Sequence, residues 1–296
     1  MRFVSFYGEG GEVLPGFLTP EGDQVVNVFA AGGPSWAADL PHTLQAWVEI
    51  GLADLALRLA DAVFPRGSRL PLSSVRLAAP LPRPGKVVGA AFNFHDALKE
   101  RNMPPPEAPV IFVKSGRTVI GPDDAVHLQP DVGNVTYEAE LGVVIGRQAL
   151  RVSREEAMHH VAGYVIVNDV SASDMVRADK GFVRGKNQPT FCPLGPWVVT
   201  PEHIVDPHDV RITLHLDEVL RQNGSTADLV FDIPALIAFI SNQMPLDPGD
   251  IIATGTPAGV AASHSPPAWL QPGGMMRVSL PGLGTLHTPI VKAHSS

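Results

Sequence analysis

Apolar and polar residues alternate along many short segments of this chain, which predicts a protein made mostly of β-strands. Between Val210 and Asp217 every second residue is apolar, a pattern typical of a strand with one face on the core and one face exposed. A small β unit is predicted in residues 1–30. The further predicted strands are Lys86–Gly89, Val110–Lys114, Thr136–Gly146, Gly163–Asp169, Trp197–Thr200, Val210–Asp217, Asp250–Thr254 and Met276–Leu280.

Helical spacing of apolar residues is confined to a few segments. Residues 43–62 carry it, with Thr43 as the predicted N-cap. Ser153 and Glu156 form a capping-box pattern that predicts a second helix. A third is predicted from Asp232 to Ile240, and a short fourth follows Asn93. The predicted fold class is therefore mostly β with a few helices, an α+β protein.

Prolines mark the most prominent interruption of the pattern. Pro65, Pro71, Pro80, Pro82 and Pro84 lie close together, and such a run stiffens a connector between folded units. With 296 residues, the chain can form one large domain with a smaller one attached. We predict a small N-terminal α+β domain in residues 1–80 and a catalytic domain in residues 81–296.

Composition excludes several functional classes. The net charge of −8 and the absence of a basic cluster argue against nucleic acid or an anionic membrane as a partner. No apolar stretch is long enough to span a membrane, and the first residues do not resemble a signal peptide. The single cysteine, Cys192, fits a reducing compartment. We expect a cytoplasmic protein that acts on a small molecule.

Two acidic residues interrupt an otherwise apolar predicted strand. Glu138 and Glu140 are two positions apart and precede the apolar run 141–146, so both side chains should point to one face. Two buried carboxylates repel each other unless a proton or a cation compensates them. A hard divalent cation is one solution. An edge strand with two hydrated glutamates is the other.

Asp169 ends the next apolar strand and precedes a segment rich in helix N-cap residues. It could simply cap that helix. It could instead complete a three-carboxylate site of the kind that holds Mg²⁺ or Mn²⁺, with water and substrate at the remaining positions.

These segments resemble the metal-binding blocks of the fumarylacetoacetate hydrolase family. The similarity keeps its order from about Pro80 to Val291, whereas the first 80 residues match weakly. The matching blocks are Tyr137–Gly146, Gly163–Ala172, Gly185–Lys186, Leu194–Trp197, Arg221–Gln222 with Thr226, and Pro248–Val260.

The resemblance implies a catalytic domain with a mixed β-roll fold that forms a homodimer. It implies Mg²⁺ or Mn²⁺ bound by Glu138, Glu140 and Asp169 as cofactor. It also implies activity on 1,3-dicarbonyl compounds or 2-oxo acids, by hydrolysis of a C–C bond, decarboxylation, isomerisation or hydration. A cation that polarises a carbonyl and stabilises an enolate serves all of these reactions.

The resemblance also assigns roles to single residues. Lys186 corresponds to the family's active-site lysine, beside the metal, although a hydrated surface lysine is the ordinary alternative. Gly255 and Thr256 correspond to a substrate-binding turn, or to a turn with a structural role only. Gln222 is a further candidate for substrate binding. Lys114 also matches a family position, with a supporting role equally expected.

Three departures from the family pattern affect the predicted reaction. Hydrolytic members carry a histidine and a glutamate three residues apart that activate water; here Glu100 is present, but Ala97 replaces the histidine. His95 is close in sequence, although two residues on a helix rotate about 200°. Ser173 and Val176 stand where the family has an arginine and a glutamine that contact substrate oxygens.

Other cations could replace the missing arginine. Arg177 follows Ser173 by one helical turn and is our candidate, with Arg184 as another. We predict that residues 94–106 form a lid over the site, with Glu100 and His95 as candidate bases and Lys186 as the third catalytic candidate.

Three functions are therefore compatible with the sequence. The leading hypothesis is a metal-dependent hydrolase that cleaves a C–C bond in an acylpyruvate or β-diketone. A decarboxylase, isomerase or hydratase that works through the same enolate is the first alternative. A descendant that binds metal and ligand without turnover is the second.

Overall fold

The computed structural model describes residues 1–293 and shows a molecule built mainly of β-strands, as predicted. Nineteen strands are present in this range: β1 Arg2–Tyr7, β2 Val13–Leu18, β3 Gln24–Asn27, β4 Arg69–Pro71, β5 Leu77–Ala78, β6 Lys86–Ala91, β7 Val110–Ser115, β8 Val119–Ile120, β9 Val126–Leu128, β10 Val135–Thr136, β11 Ala139–Ile145, β12 Val161–Asn168, β13 Ser171–Ala172, β14 Cys192–Val199, β15 Arg211–Leu216, β16 Val219–Ser225, β17 Ile251–Ala253, β18 Met275–Leu280 and β19 Gly284–Lys292.

The helices are few and short. The α-helices are α1 Leu44–Ile50, α2 Leu52–Ala60, α3 His95–Glu100, α4 Ser173–Asp179, α5 Val183–Lys186 and α6 Ile233–Gln243. The 3₁₀-helices are Ser35–Asp39, Arg66–Ser68, Leu72–Ser74, Gly116–Thr118, Ala157–His160, Pro201–His203, Thr226–Asp228 and Ala261–Ser263. Within the described residues, no helix is both long and apolar enough to cross a bilayer.

One large sheet runs through the whole molecule, in the order β4-β3-β2-β1-β14-β12-β11-β17-β6-β7. Most neighbours are antiparallel, and β17 runs parallel to β6. The N-terminal strands join the rest through β1, which pairs with β14. The sheet is therefore continuous across residue 80, and the division into residues 1–80 and 81–296 stays a prediction.

The large sheet is covered on both faces, because its central strands are apolar on both. In β11, Val143 packs into a core shared with the five-stranded sheet β16-β15-β18-β19-β9 and with α6, whereas Val144 packs into a core shared with α1 and α2. All seven residues of β11 are buried. The carboxylate of Glu140 is therefore embedded in the centre of the molecule.

Two predicted helices differ from the structure. The prediction of a helix at Ser153 is wrong. Glu156 N does donate to Ser153 Oγ at 3.3 Å, but only one 3₁₀ turn follows, and β12 begins at Val161. Pairing with β11 requires this early return to strand. The predicted helix over 43–62 is split into α1 and α2 at Gly51, whose φ of 104° breaks the helical path. Thr43 caps α1 as predicted.

Candidate metal centre

Three strand ends bring the acidic residues together. The predicted strand Thr136–Gly146 is in fact two strands, β10 and β11, and Glu138 lies in the gap between them. Glu140 is the second residue of β11, and Asp169 follows the last residue of β12. Asp169 N, just after β12, donates to the backbone oxygen of Glu138, just before β11, at 2.8 Å. This bond brings the two acidic residues side by side.

The three carboxylates can hold one divalent cation. Each offers an oxygen, and these oxygens lie within 4.8 Å of one another, which is compatible with cation–oxygen distances of about 2.1 Å for Mg²⁺. Asp169 is fully buried and Glu140 nearly so, while the Glu138 side chain retains 17% of its exposure. A hard-oxygen donor set with one side open suits a cation that also contacts a substrate.

Burial raises the pKa values of the two glutamates. It raises the pKa of Glu140 well above its ordinary value, and the nearby carboxylates of Asp169 and Glu138 add to the effect. Burial also raises the pKa of Glu138, although the ammonium of Lys186 opposes this. A cation between these groups would favour their charged forms, so the site fits a metal ion better than it fits three free acids.

Two buried lysines surround Asp169. Lys186 Nζ donates to Asp169 Oδ2 and, at 2.6 Å, to Glu138 Oε2. Lys114 Nζ lies 2.7 Å from Asp169 Oδ1 and forms a buried ion pair with it. Burial alone would raise the pKa of Asp169, but the two lysines hold it below its ordinary value. Asp169 is therefore an anion, and a metal would share its oxygens with the two lysines.

The charge of Lys186 is secured by the same contacts. Burial disfavours its ammonium, but the carboxylates of Asp169 and Glu138 outweigh this and raise the pKa of Lys186. An ammonium has three N–H groups, and two of them are engaged here. The third is available to a substrate oxygen, because Lys186 lines the cavity described below.

Gly255 orients Glu140 from the opposite side. Its backbone N donates to Glu140 Oε2 at 2.7 Å. The φ of Gly255 is +105°, a conformation that L side chains rarely adopt. The sequence predicted substrate binding for this residue, but it does not line the cavity; in this structure it holds a metal-site carboxylate.

Gln222 has a comparable supporting position. Its side chain is buried and accepts from Ala139 N at 3.0 Å, while its amide donates to Thr256 Oγ1 at 2.8 Å and to Pro257 O at 2.9 Å. These bonds engage both ends of the amide, and Gln222 does not line the cavity. Gln222 therefore positions Thr256, which does line it.

A cavity of about 630 Å³ opens beside Glu138 and Glu140. Three apolar side chains also line it: Phe112 of β7, Val176 of α4 and Phe182, which precedes α5. We call these three residues the apolar wall. The centroids of the two phenyl rings are 5.1 Å apart. We call the three acids with Lys114 and Lys186 the carboxylate centre.

Helix α3 covers part of the same cavity. Ala97, Leu98, Glu100 and Arg101 line it. Glu100 Oε2 accepts from Gly259 N at 3.2 Å and from Ser263 Oγ, which leaves Oε1 for another proton donor. His95 is exposed and outside the lining residues, because α3 is helical from His95 onward and turns this side chain away.

The candidate arginines take different positions. Arg177 lines the cavity and pairs with Asp174 at 3.3 Å, with 71% of its side chain exposed. Arg184 Nε donates to Asp179 at 2.7 Å and lies outside the cavity lining. Only Arg177 of these two can therefore reach a ligand without rearrangement.

Arg101 and the apolar wall were not identified from the sequence. Arg101 directly follows α3, and a cation at a helix end is normally a hydrated surface residue. For Phe112 a signal was present: it is two residues before Lys114 in β7 and so shares its face. Phe182 carried none. Val176 was recognised as the residue that replaces a substrate-contacting glutamine of the family, but its place in an apolar surface depends on the packing of α4 and α5.

Comparison with known proteins agrees with this geometry. The family model described as "Fumarylacetoacetate (FAA) hydrolase C-terminal" matches residues 86–291. A mitochondrial oxaloacetate tautomerase of Homo sapiens is 38% identical over 280 residues, covering 93% of this chain and 87% of the relative. An oxaloacetate tautomerase of Bacillus subtilis is 41% identical over 223 residues, 74% of each chain.

Solved structures resemble the whole described chain. A fumarylacetoacetate hydrolase of Exiguobacterium antarcticum has a TM-score of 0.84 at 31% identity, covering 99% of this chain and 100% of that one. A maleylpyruvate hydrolase of a Sphingobium species, solved with manganese(II) and pyruvate, has a TM-score of 0.77 at 31% identity, with the same coverage.

Proposed function

The chain belongs to the fumarylacetoacetate hydrolase family, and from this premise we propose that it is a metal-dependent keto–enol tautomerase of a small 2-oxo acid. The observation that carries the proposal is Ala97, which lines the cavity where hydrolytic members would need a water-activating histidine. Tautomerisation needs no attacking water, because it only moves a proton between carbon 3 and the oxygen on carbon 2. Two of the relatives named above are oxaloacetate tautomerases.

Glu100 is the group we assign to the proton on carbon 3. It lines the same cavity as Glu138 and Glu140, and its hydrogen bonds from Gly259 and Ser263 fix one oxygen and leave the other free. In the direction from keto to enol, Glu100 takes the proton from carbon 3 and releases it to water, and the enolate oxygen takes up a proton from water. In the reverse direction the oxygen loses its proton to water and Glu100 delivers one to carbon 3.

Lys186 is the group we assign to the developing negative charge. Its remaining N–H can donate to the oxygen on carbon 2 as that oxygen becomes an enolate. The ammonium does not have to reorient during the reaction, because Glu138 and Asp169 already hold it.

Mg²⁺ or Mn²⁺ is the cofactor we propose, held by Glu138, Glu140 and Asp169. When bound, such a cation would polarise the 2-oxo group and so acidify the adjacent C–H bond. We also propose a homodimer in the cytoplasm; two of the similar proteins are mitochondrial by name.

Hydrolysis of a C–C bond, the leading hypothesis from the sequence, becomes the second candidate. The presence of Glu100 in the cavity favours it, and so does the similarity to a maleylpyruvate hydrolase. Without a histidine at position 97, Glu100 would have to activate the water alone.

An assay with three substrates separates these functions. The metal-free protein is prepared with a chelator, and Mn²⁺ or Mg²⁺ is restored before oxaloacetate, phenylpyruvate or acetylpyruvate is added. We expect metal-dependent loss of enol absorbance for a 2-oxo acid and no release of pyruvate from acetylpyruvate. Glu100→Gln should remove this activity, whereas Lys99→Gln, on the exposed side of α3, should not. Pyruvate release from acetylpyruvate without tautomerisation would favour the hydrolase.

A further inference from the structure

The apolar wall carries an inference about the substrate that deepens the proposed function and rests on it. We propose that the 2-oxo acid of this enzyme carries an apolar, ring-sized group on carbon 3, so that aryl or branched-alkyl 2-oxo acids are preferred to dicarboxylic ones. The 2-oxo acid unit would lie at the carboxylate centre and the substituent against the apolar wall.

The wall begins directly beside the reactive groups. Lys186 Nζ lies 4.7 Å from the centroid of the Phe112 ring. The apolar wall and the carboxylate centre are therefore in contact at these two residues. The Phe182 ring continues the surface outward from Phe112. A group on carbon 3, one bond from the enolate carbon, would therefore meet aromatic carbon as soon as it leaves the carboxylate centre.

The wall is held in place by glycines. Gly89 of β6 faces Phe112 in the register of the sheet, and the ring occupies the space that a side chain at this position would need. Gly185 of α5 does the same for Val176 of α4. Phe112 and Val176 thus each pack closely against the backbone of a glycine, which fixes their positions.

A second carboxylate has no buried partner here. The cations that line the cavity, within residues 1–293, are Lys186, Arg101 and Arg177. Lys186 already binds two carboxylates. Arg101 and Arg177 are both exposed, and Arg177 pairs with Asp174. A carboxylate placed against Phe112 and Val176 would lose water without gaining an ion pair, which is unfavourable.

The size of the cavity is consistent with a larger substituent. Its volume of about 630 Å³ is within the range of pockets that enclose ligands of many heavy atoms. A four-carbon dicarboxylate would fill a small part of it. A phenyl or branched-alkyl group would displace water from the apolar wall and so contribute to binding.

The test compares phenylpyruvate with oxaloacetate on the Mn²⁺-loaded protein. We expect kcat/KM for tautomerisation to be higher for phenylpyruvate by about tenfold or more, the discrimination that an apolar pocket can provide. Val176→Gln should lower this ratio by reducing phenylpyruvate turnover. The control Val183→Gln, at an exposed position of α5 outside the cavity lining, should preserve it.

A binding measurement tests the inference independently of turnover. Calorimetric titration of the inactive Glu100→Gln protein should give tighter binding of phenylpyruvate than of oxaloacetate. The inference is overturned if oxaloacetate is preferred in both assays and Arg101→Ala or Arg177→Ala removes that preference. Such a result would mean that one of these two exposed arginines binds the second carboxylate. If neither acid is tautomerised but phenylpyruvate still binds more tightly, the proposed function fails and the apolar specificity stands.

Discussion

The carboxylate centre and the apolar wall bound one cavity but are stabilised in different ways. Each acid of the centre has a specific partner: Gly255 N for Glu140, Lys186 for Glu138, and two lysines for Asp169. The wall has no hydrogen bonds to satisfy and depends on close packing. A charged site tolerates little change, because each lost partner leaves a buried charge exposed to repulsion. An apolar surface tolerates substitutions of similar volume, so substrate preference can change while the chemistry is kept.

The largest expected effect comes from Glu140→Gln. The variant should lose Mn²⁺ binding, measured by calorimetry, and metal-dependent turnover should fall to background. At pH 7 the metal-free variant should melt at a higher temperature than the metal-free wild type, because it no longer carries a buried acid whose pKa is raised. Glu107→Gln, at an exposed position, is the control. Unchanged Mn²⁺ affinity in Glu140→Gln would remove this residue from the metal centre.

Lys186→Met should have the next largest effect. Loss of a charged donor to a developing oxyanion typically lowers kcat by about 10²–10³-fold. The pKa of Glu138 should also rise further, since the ammonium opposes the effect of burial there. Steady-state kinetics at saturating Mn²⁺ measures the first effect. A kcat within threefold of wild type, with the metal bound, would contradict the assigned role.

Metal affinity should depend on pH in a defined direction. The raised pKa of Glu140 means that cation binding must release its proton. Mn²⁺ affinity should therefore increase with pH, by at most about tenfold per pH unit for one proton, and level off above the pKa of Glu140. The stability of the metal-free fold changes in the opposite direction. It decreases as the pH rises above the pKa that Glu140 has in the unfolded chain. Titrations in buffers of different ionisation enthalpy measure the proton release. An affinity independent of pH from 5 to 8 would be inconsistent with this.

Gln222→Ala should have the smallest effect on chemistry. It leaves Ala139 N and Pro257 O without their buried partner, which should cost about 1–3 kcal/mol of unfolding free energy. Turnover should fall only modestly, because the amide touches Thr256 rather than the cavity. Denaturant unfolding and kinetics on one preparation separate the two. A large fall in kcat with unchanged stability would return Gln222 to the substrate-binding residues.

Much of the carboxylate centre could be predicted from the sequence, because it depends on local pattern. Alternation places Glu138 and Glu140 on one side, and an apolar run that ends in Asp169 places that acid at a strand end. The break of the strand at Glu138 was missed, since apolar and polar residues keep alternating through it. The helix predicted at Ser153 failed because tertiary pairing of β12 overrode a local capping signal.

The apolar wall as a whole could not be predicted, because Phe112 in β7 is far in sequence from Val176 and Phe182, which lie in and next to α4 and α5. Phe112 and Phe182 alone look like ordinary core or surface residues, and Val176 was recognised only as the replacement of a family glutamine. Their common role appears only when β7, α4 and α5 are packed together. The loss of family residues was easier to recognise, since Ala97, Ser173 and Val176 could be compared with a family pattern. That comparison shows which side chain is missing but does not show which residue takes over its function.

The pairing of β1 with β14 has a consequence for how this protein can be handled. Strand β14 lies between β1 and β12 in the large sheet, so removing residues 1–80 would leave its last residues, Val198 and Val199, without the neighbouring strand. An open edge in an apolar sheet recruits other chains. We therefore expect a shortened chain that begins at residue 81 to aggregate during expression, even though it would retain every residue of the carboxylate centre.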